Sequence, residues 1–222
     1  MSTDRWATGR TFLITGASSG MGAATAVRLG RAGANVVVQG RDPQRLHGIA
    51  EAVTEAGGQA RIASVDLENA AAAPCAVATA FEDFGALHGL VLNASLFEPL
   101  PLAEATLESL NRQWTINVAA HFLITQAAVP RLERGASIVF VSSTTAHVGF
   151  AGCSAYAATK GAVEALARTL AVELAPDGIR VNTVAPGFVR TPMLQPHLDA
   201  NPGYEQSLSD QTPAISEIYR QA

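Results

Sequence analysis

Thr11-Phe12-Leu13-Ile14-Thr15-Gly16-Ala17-Ser18-Ser19-Gly20-Met21-Gly22 is the stretch on which the fold turns. The apolar run Thr11–Ile14 stops at Gly16 and predicts a short buried strand. From residue 20 to 32, alanines, Val27 and Leu29 recur at helical spacing up to Gly33, so a helix follows the turn directly. A strand, a tight turn and a helix in that order place backbone N–H groups and a helix N-terminus where a pyrophosphate can sit. Glycine lets the backbone turn sharply and come close to the phosphates. The spacing is G-x-x-x-G-x-G rather than the G-x-G-x-x-G of other dinucleotide folds, and no Gly-Lys-Ser/Thr follows, which argues against a P-loop. Gly16, Ser18, Ser19, Gly20, Met21 and Gly22 are therefore candidate cofactor-binding residues.

Outward from this turn, strand and helix alternate. Val36-Val37-Val38 reads as a second buried strand. Asp42-Pro43 follows as an N-cap with proline at the first helical position, and that helix runs to Gly57-Gly58. Residues 60–65 read as a third strand, 68–84 as a third helix and 87–92 as a fourth strand. Residues 104–132 form one long helical stretch with Pro130 near its end. Ser137–Val141 is a fifth strand, 154–175 a helix and Arg180–Val184 a sixth strand. Continuous β-branched strands between amphipathic helices predict a parallel sheet covered on both faces, a doubly wound α/β domain over 1–222. The last part, 191–222, carries prolines and polar residues and reads as a substrate loop or tail with one or two short helices.

Composition excludes several alternatives. With 48% hydrophobic and 15% charged residues, the 222-residue chain is globular. A net charge of −4 and scattered basic residues give no footprint for nucleic acid or an anionic membrane. No apolar run is long enough to span a bilayer, and the N-terminus lacks the apolar region of a signal peptide, so a cytoplasmic location is expected. Cys75 and Cys153 do not make a disulfide framework. His47, His88, His121, His147 and His197 show no metal-ligand spacing. Gly152-Cys153-Ser154-Ala155-Tyr156 lacks the second glycine of a nucleophile elbow, which argues against a hydrolase.

The end of the second strand bears on the choice of dinucleotide, because the adenosine ribose lies there. An acidic residue would bind the 2′-hydroxyl and repel a 2′-phosphate. Here the strand ends Gln39-Gly40-Arg41: the carboxylate is missing, and Arg41 offers a guanidinium fork. Asp42 is assigned to the helix cap. NADP(H) is expected over NAD(H), with NAD(H) possible.

Tyr156-Ala157-Ala158-Thr159-Lys160 opens a helix with tyrosine and lysine on one face. An ammonium beside a phenol favours the phenolate and makes tyrosine a usable proton donor or acceptor. Ser142-Ser143 ends the preceding strand at the carboxyl edge of the sheet, where open α/β sheets bind ligands. Ser143 and Tyr156 can thus meet over one pocket.

The glycine turn, Ser143, Tyr156 and Lys160, Asn117 in Ile116-Asn117-Val118, and Pro186-Gly187-Phe188-Val189-Arg190-Thr191 together resemble the short-chain dehydrogenase/reductase family over roughly residues 9–195. The resemblance implies a Rossmann-like sheet of strand order 3-2-1-4-5-6 and an NAD(P)(H)-dependent oxidoreductase interconverting a small-molecule carbonyl and alcohol. It implies that Tyr156 is the general acid/base, that Lys160 binds the nicotinamide ribose and tunes Tyr156, and that Ser143 orients the substrate oxygen. Asn117 would support a water-linked proton relay to Lys160. Asp66 and Leu67 would sit at the adenine, and Asn93 and Ala94 beneath the adenosine ribose. Pro186, Gly187, Val189 and Thr191 would complete the nicotinamide site, Val189 and Thr191 holding the carboxamide.

The chain departs from the family at two places. Leu92-Asn93-Ala94-Ser95 stands where the family has Asn-Asn-Ala-Gly. A seventh strand with a glycine-rich end is not recognisable, so strand six is expected at the sheet edge. The resemblance then implies a dimer through the helices at 104–132 and 154–175. The alternative it leaves is a catalytically weak or silent NADP-binding or scaffold protein. Specificity is expected at 95–97, at 144–154 with His147 and Phe150, and from 190 onward with Met193.

Overall fold

Leu13 and Ile14 are both fully buried and belong to different apolar clusters, one on each face of a sheet. That alternation is the signature of a strand covered on both sides. The computed structural model describes residues 5–200 and Gly203. Its strands are β1 (Thr11–Ile14), β2 (Asn35–Gly40), β3 (Gln59–Ser64), β4 (Gly89–Leu92), β5 (Ser137–Val141) and β6 (Arg180–Val184). They form one parallel sheet of order β3-β2-β1-β4-β5-β6, as the resemblance implies. The order reverses between β1 and β4. In such sheets a crevice opens outside the carboxyl ends of the strands at that switch point.

Helices α1 (Gly20–Arg31) and α2 (Pro43–Glu55) cover one face, packing Ala26, Leu29, Leu46 and Val53 on Ile14, Val36 and Val38. Asp42 caps α2 as its sequence predicts, its Oδ1 accepting from the N–H groups of Gln44 and Arg45 at 3.0 and 3.2 Å. The other face carries Leu13, Val37, Leu90, Leu92, Ile138 and Phe140 beneath α3 (Cys75–Phe84) and two of three further helices: α4 (Leu107–Trp114) adds nothing to this cluster and packs on α6, while α5 (Ala120–Ala128) and α6 (Ser154–Glu173) cover the sheet. A short α7 (Gln195–Ala200) follows β6.

The structure corrects three element boundaries. The third helix does not start at 68. The alanines at 70–72 make a 3₁₀ turn and α3 starts at Cys75, after Pro74, whose missing N–H cannot continue a helical ladder from upstream. Strand β4 starts at Gly89 rather than 87, and His88 ties its entry to β1: its N–H donates to Thr11 O at 2.8 Å and its ring Nδ1 accepts from Thr11 N–H at 2.9 Å. The stretch 104–132 is not one α-helix. Thr106 caps α4, Thr115–Ala119 make a π-helical turn, and Val129–Arg131 close in 3₁₀ geometry around Pro130. A π turn inserts an extra residue into the helix and often marks a functional site; this one holds Asn117, which is fully buried. Among the described residues β6 is one edge of the sheet and β3 the other, and the sequence beyond Gly203 lies outside them. No described helix is long and apolar enough to cross a membrane.

Candidate active site

The glycine turn is held from three directions. Gly16 has φ +64°, and a Cβ there would lie 2.7 Å from Ala94 Cα. A Cβ on Gly22 would lie 2.3 Å from the Gly16 carbonyl oxygen. Both positions require glycine for the turn to close against Asn93-Ala94. Asn93 Nδ2 donates to the Thr15 and Gly16 carbonyls at 3.0 and 3.2 Å. The buried Gln39 braces the turn from β2: its Oε1 accepts from Gly16 N–H at 3.1 Å, and its Nε2 donates to Val65 O at 2.7 Å. Ser19, the N-cap of α1, makes no side-chain cap bond. The first-turn N–H groups of a 12-residue helix thus have no side-chain partner at the groove, an arrangement that suits an anion.

A groove of about 500 Å³ runs along the carboxyl edge of the sheet. Of the residues singled out in the sequence, Gly16, Ser18, Ser19, Gly20, Met21, Arg41, Asp66, Leu67, Asn93, Ala94, Tyr156, Lys160 and Thr191 all line it. Pro186, Gly187, Val189 and Ser143 line a smaller adjoining cavity of about 100 Å³, which shares Met21, Tyr156 and Thr191 with the groove. Two expected residues line neither. Gly22 lies behind the turn, against Gly16, and Asn117 lies behind Ser95-Leu96.

Arg41 and Arg45 both line the end of the groove beside Gly40. Arg45 carries no local sequence signal, because its proximity arises from the turn into α2. The Asp42 carboxylate is committed to the α2 cap, and Arg41 stands 4.0 Å from Glu68.

At the other end, Ser143, Tyr156 and Lys160 converge. Ser143 caps a 3₁₀ turn (Thr144–Ala146), its Oγ accepting from Thr145 N–H at 3.2 Å. Burial raises the Tyr156 phenol's pKa above its ordinary value, with the neighbouring Ser95 and Ser143 hydroxyls opposing the rise and Cys153 adding to it. Lys160 is buried, and that desolvation depresses its pKa to about 7. Its Nζ donates to Val141 O at 2.9 Å and stands 5.4 Å from the Tyr156 ring centroid.

Asn117 has spent its carboxamide. Oδ1 accepts from Leu96 N–H at 2.7 Å and Ser95 Oγ at 3.2 Å, while Nδ2 donates to Leu96 O and Thr159 Oγ1, both at 3.0 Å. The side chain therefore ties the Ser95-Leu96 segment to α6. Behind it lies His121, its Nε2 3.2 Å from Thr15 Oγ1. Thr15 Oγ1 already accepts from the N–H groups of Asn93 and Ala94, so its own proton goes to His121. Burial first, and then Lys160, depress the His121 pKa to about 3, with the Asn117 backbone opposing them.

A second polar cluster braces the serine segment. Glu164, one turn past Lys160, accepts from Ser142 Oγ at 2.8 Å and meets His147 Nε2 at 2.9 Å. One carboxylate thus grips the chain on both sides of Ser143. His147, whose place between Ser143 and Tyr156 in sequence allows either a pocket or a loop role, turns to Glu164 and does not line the cavity. Phe150 and Met193 do line it, with Phe97, Phe188, Cys153 and Leu194. Phe97 packs edge-on against Tyr156 at 4.9 Å between centroids, and Phe150 against Phe188 at 5.4 Å.

A family model described as short chain dehydrogenase matches residues 10–202. The 2,5-dichloro-2,5-cyclohexadiene-1,4-diol dehydrogenase of Sphingobium indicum is 36% identical over 187 residues, 83% of this chain and 75% of that one. A Burkholderia cenocepacia short chain dehydrogenase solved in complex with NADP superposes with a TM-score of 0.81 at 36% identity, covering 84% of this chain and 77% of that one. A 3-ketoacyl-(acyl-carrier-protein) reductase from Brucella melitensis, solved with NADH, gives 0.79 at 32% identity, covering 85% and 79%.

Proposed function

The chain belongs to the short-chain dehydrogenase/reductase family of NAD(P)-dependent oxidoreductases acting on CH–OH groups, and from that premise we propose that it interconverts a compact, uncharged ketone and its secondary alcohol, with Tyr156 as general acid/base and NADP(H) preferred. The observation that carries this reading is the convergence of Ser143, Tyr156 and Lys160 at the junction of the long groove and the apolar cavity.

The groove residues fit a pyridine dinucleotide: the glycine turn excludes any Cβ at Gly16 and Gly22, and the α1 N-terminus is uncapped. Arg41 and Arg45 beside Gly40 would hold a 2′-phosphate, and no carboxylate at position 40 opposes it. Asp66 and Leu67 would flank the adenine, Asn93 and Ala94 the adenosine ribose, and Pro186, Gly187, Val189 and Thr191 the nicotinamide. When bound, the cofactor supplies or accepts the hydride.

The chain's own residues handle the proton. In reduction, Tyr156 gives its proton to the carbonyl oxygen; in oxidation, its phenolate takes the alcohol's. Ser143 holds that oxygen by its hydroxyl. Lys160 Nζ stands 5.4 Å from the Tyr156 ring centroid; burial depresses its pKa to about 7, and in its protonated form its charge would favour the phenolate. The cavity walls Phe97, Phe150, Phe188, Met193 and Leu194 are apolar, and the residues lining it include no charged side chain. A cavity of about 100 Å³ suits a single ring, on the scale of the ~150 Å³ apolar cavities that accept benzene. Leu107, Leu110, Trp114, Phe122 and Val172 are exposed on α4, α5 and α6, which supports a homodimer through those helices.

The test is NADPH consumption across a panel of small cyclic ketones, with Tyr156→Phe as control. Loss of the acid/base is expected to lower kcat by about 10²–10⁴-fold with NADPH affinity unchanged. Equal rates in the two proteins would remove Tyr156 from the chemistry. NADPH binding without turnover of any carbonyl would favour a binding-only role.

A further inference from the structure

Among the described residues, Thr145 Oγ1 is the one buried side-chain oxygen or nitrogen that lacks a hydrogen-bond partner. Helical threonines elsewhere in the chain satisfy themselves on the carbonyl one turn back: Thr25 on Met21 O at 2.8 Å, Thr54 on Ala50 O at 2.9 Å and the buried Thr125 on His121 O at 2.8 Å. Thr145 sits in the single 3₁₀ turn Thr144–Ala146, entered from an extended Ser143, so no helical turn precedes it to supply that carbonyl. A buried hydroxyl without a partner costs desolvation free energy that a valine of the same shape would not.

Thr145 lines the small apolar cavity together with Ser143 and Tyr156. Its N–H donates to Ser143 Oγ at 3.2 Å, so the two residues share one tight turn and Ser143 keeps its own proton for the substrate oxygen. The Ser142 hydroxyl, in the same wall, is spent on Glu164 at 2.8 Å. Threonine has alternative staggered χ1 wells that aim its hydroxyl in different directions from one backbone. The group can therefore turn to a ligand in the cavity without moving the turn that carries it.

We propose that the Thr145 hydroxyl is a substrate subsite, which takes a second, uncharged oxygen of the ring close to the carbonyl held by Ser143 and Tyr156. The ligand class is a cyclic hydroxyketone, or the corresponding diol in the direction of oxidation. A plain ketone leaves Thr145 orphaned in the complex, whereas a hydroxyketone gives it a partner that both donates and accepts. Phe150, Phe188 and Met193 face the remaining carbons of the ring. The assignment rests on Ser143 and Tyr156 holding the reacting oxygen.

The experiment compares wild type, Thr145→Val and Thr145→Ser. The first readout is kcat/KM with NADPH for 2-hydroxycyclohexanone, 3-hydroxycyclohexanone and cyclohexanone. The extra oxygen activates the carbonyl inductively by the same amount in every variant, so the ratio of hydroxyketone to ketone isolates the subsite. For the better hydroxyketone that ratio is expected to fall about tenfold in Thr145→Val, the loss of one hydrogen bond, and to return in Thr145→Ser. The second readout needs no turnover. Without ligand, the Tm of Thr145→Val is expected to equal or exceed that of wild type, because no bond within the protein is lost. Ratios unmoved in Thr145→Val for both hydroxyketones overturn the proposal and leave the ketone reading standing. A Tm several degrees lower also overturns it, since the hydroxyl is then bonded within the fold. Failure of wild type to reduce any of the three rings, or undiminished turnover in Tyr156→Phe, overturns the reading beneath it and the subsite with it.

Discussion

Strand β2 is buried at five of its six positions and β6 at one of its five. Both belong to the same parallel sheet, and both end at the same groove. Around β1 and β2, helices cover each face, so the cofactor turn stands on close-packed apolar walls. Around β5 and β6 only the α6 side is covered among the described residues. On the other side Val139 and Val141 are half-buried and Val184 is 53% exposed. The two halves position their functional groups by different means. In the first, shape does it: Gly16 and Gly22 fit because nothing larger can. In the second, polar clamps do it: Glu164 grips Ser142 and His147 on either side of Ser143, and Lys160 is pinned to Val141 O.

The largest effect that could break this comparison is in stability. Leu13→Ala, in the fully buried half, is expected to cost about 2–5 kcal/mol in chemical denaturation. Val184→Ala, on the exposed face of the edge strand, is expected to stay within about 0.5 kcal/mol. Comparable losses in the two variants would mean that the β6 face is covered in solution, and the contrast between the halves would fall.

A smaller effect sharpens the seam between them. His121 joins α5 to the end of β1 through Thr15. Its folded pKa of about 3 lies well below the ordinary 6.5, so between those values the unfolded chain binds a proton that the folded chain refuses. Stability from this group is full above pH 6.5 and is lost as pH falls toward 3, at up to about 1.4 kcal/mol per pH unit. His121→Gln lacks that proton. The wild-type minus variant difference in unfolding free energy is expected to shrink from pH 7 to pH 5, where the carboxylates contribute least. A flat difference would mean that His121 is solvated or paired in another way.

The contrast also explains what could be read in the chain. The alternation of strands and helices, the glycine turn and the Tyr156/Lys160 face are legible because each depends on local pattern: apolar runs, glycine spacing and an i,i+4 pair; the strand order follows only from the family resemblance. The π-helical turn at Asn117 is not legible, since one extra residue in a helix leaves the apolar pattern of 104–132 nearly intact. Gln39, His121 and Glu164 look like ordinary polar residues on a strand or helix. Their roles exist only once β2 meets β3, α5 meets β1, and α6 meets the serine segment. Nearness in sequence to Ser143 and Tyr156 leaves His147 equally open as a pocket residue or a loop histidine without a role, and in the structure it turns to the Glu164 carboxylate.

The least effect expected here concerns Arg41. Its side chain is 72% exposed and shares Glu68 with Arg112, so its pull on a 2′-phosphate is screened by solvent and partly neutralised by a carboxylate. Arg45 offers a second guanidinium at the same end of the groove. Arg41→Ala is therefore expected to lower kcat/KM for NADPH only about tenfold and to leave NADH nearly unchanged. Arg41→Ala with Arg45→Ala is expected to abolish the preference. Because both arginines reach the groove from the well-covered half of the sheet, neither change should alter the pH profile set at Tyr156. A shifted profile would show that the two ends of the groove are coupled. An undiminished NADPH preference in the double variant would place phosphate recognition elsewhere.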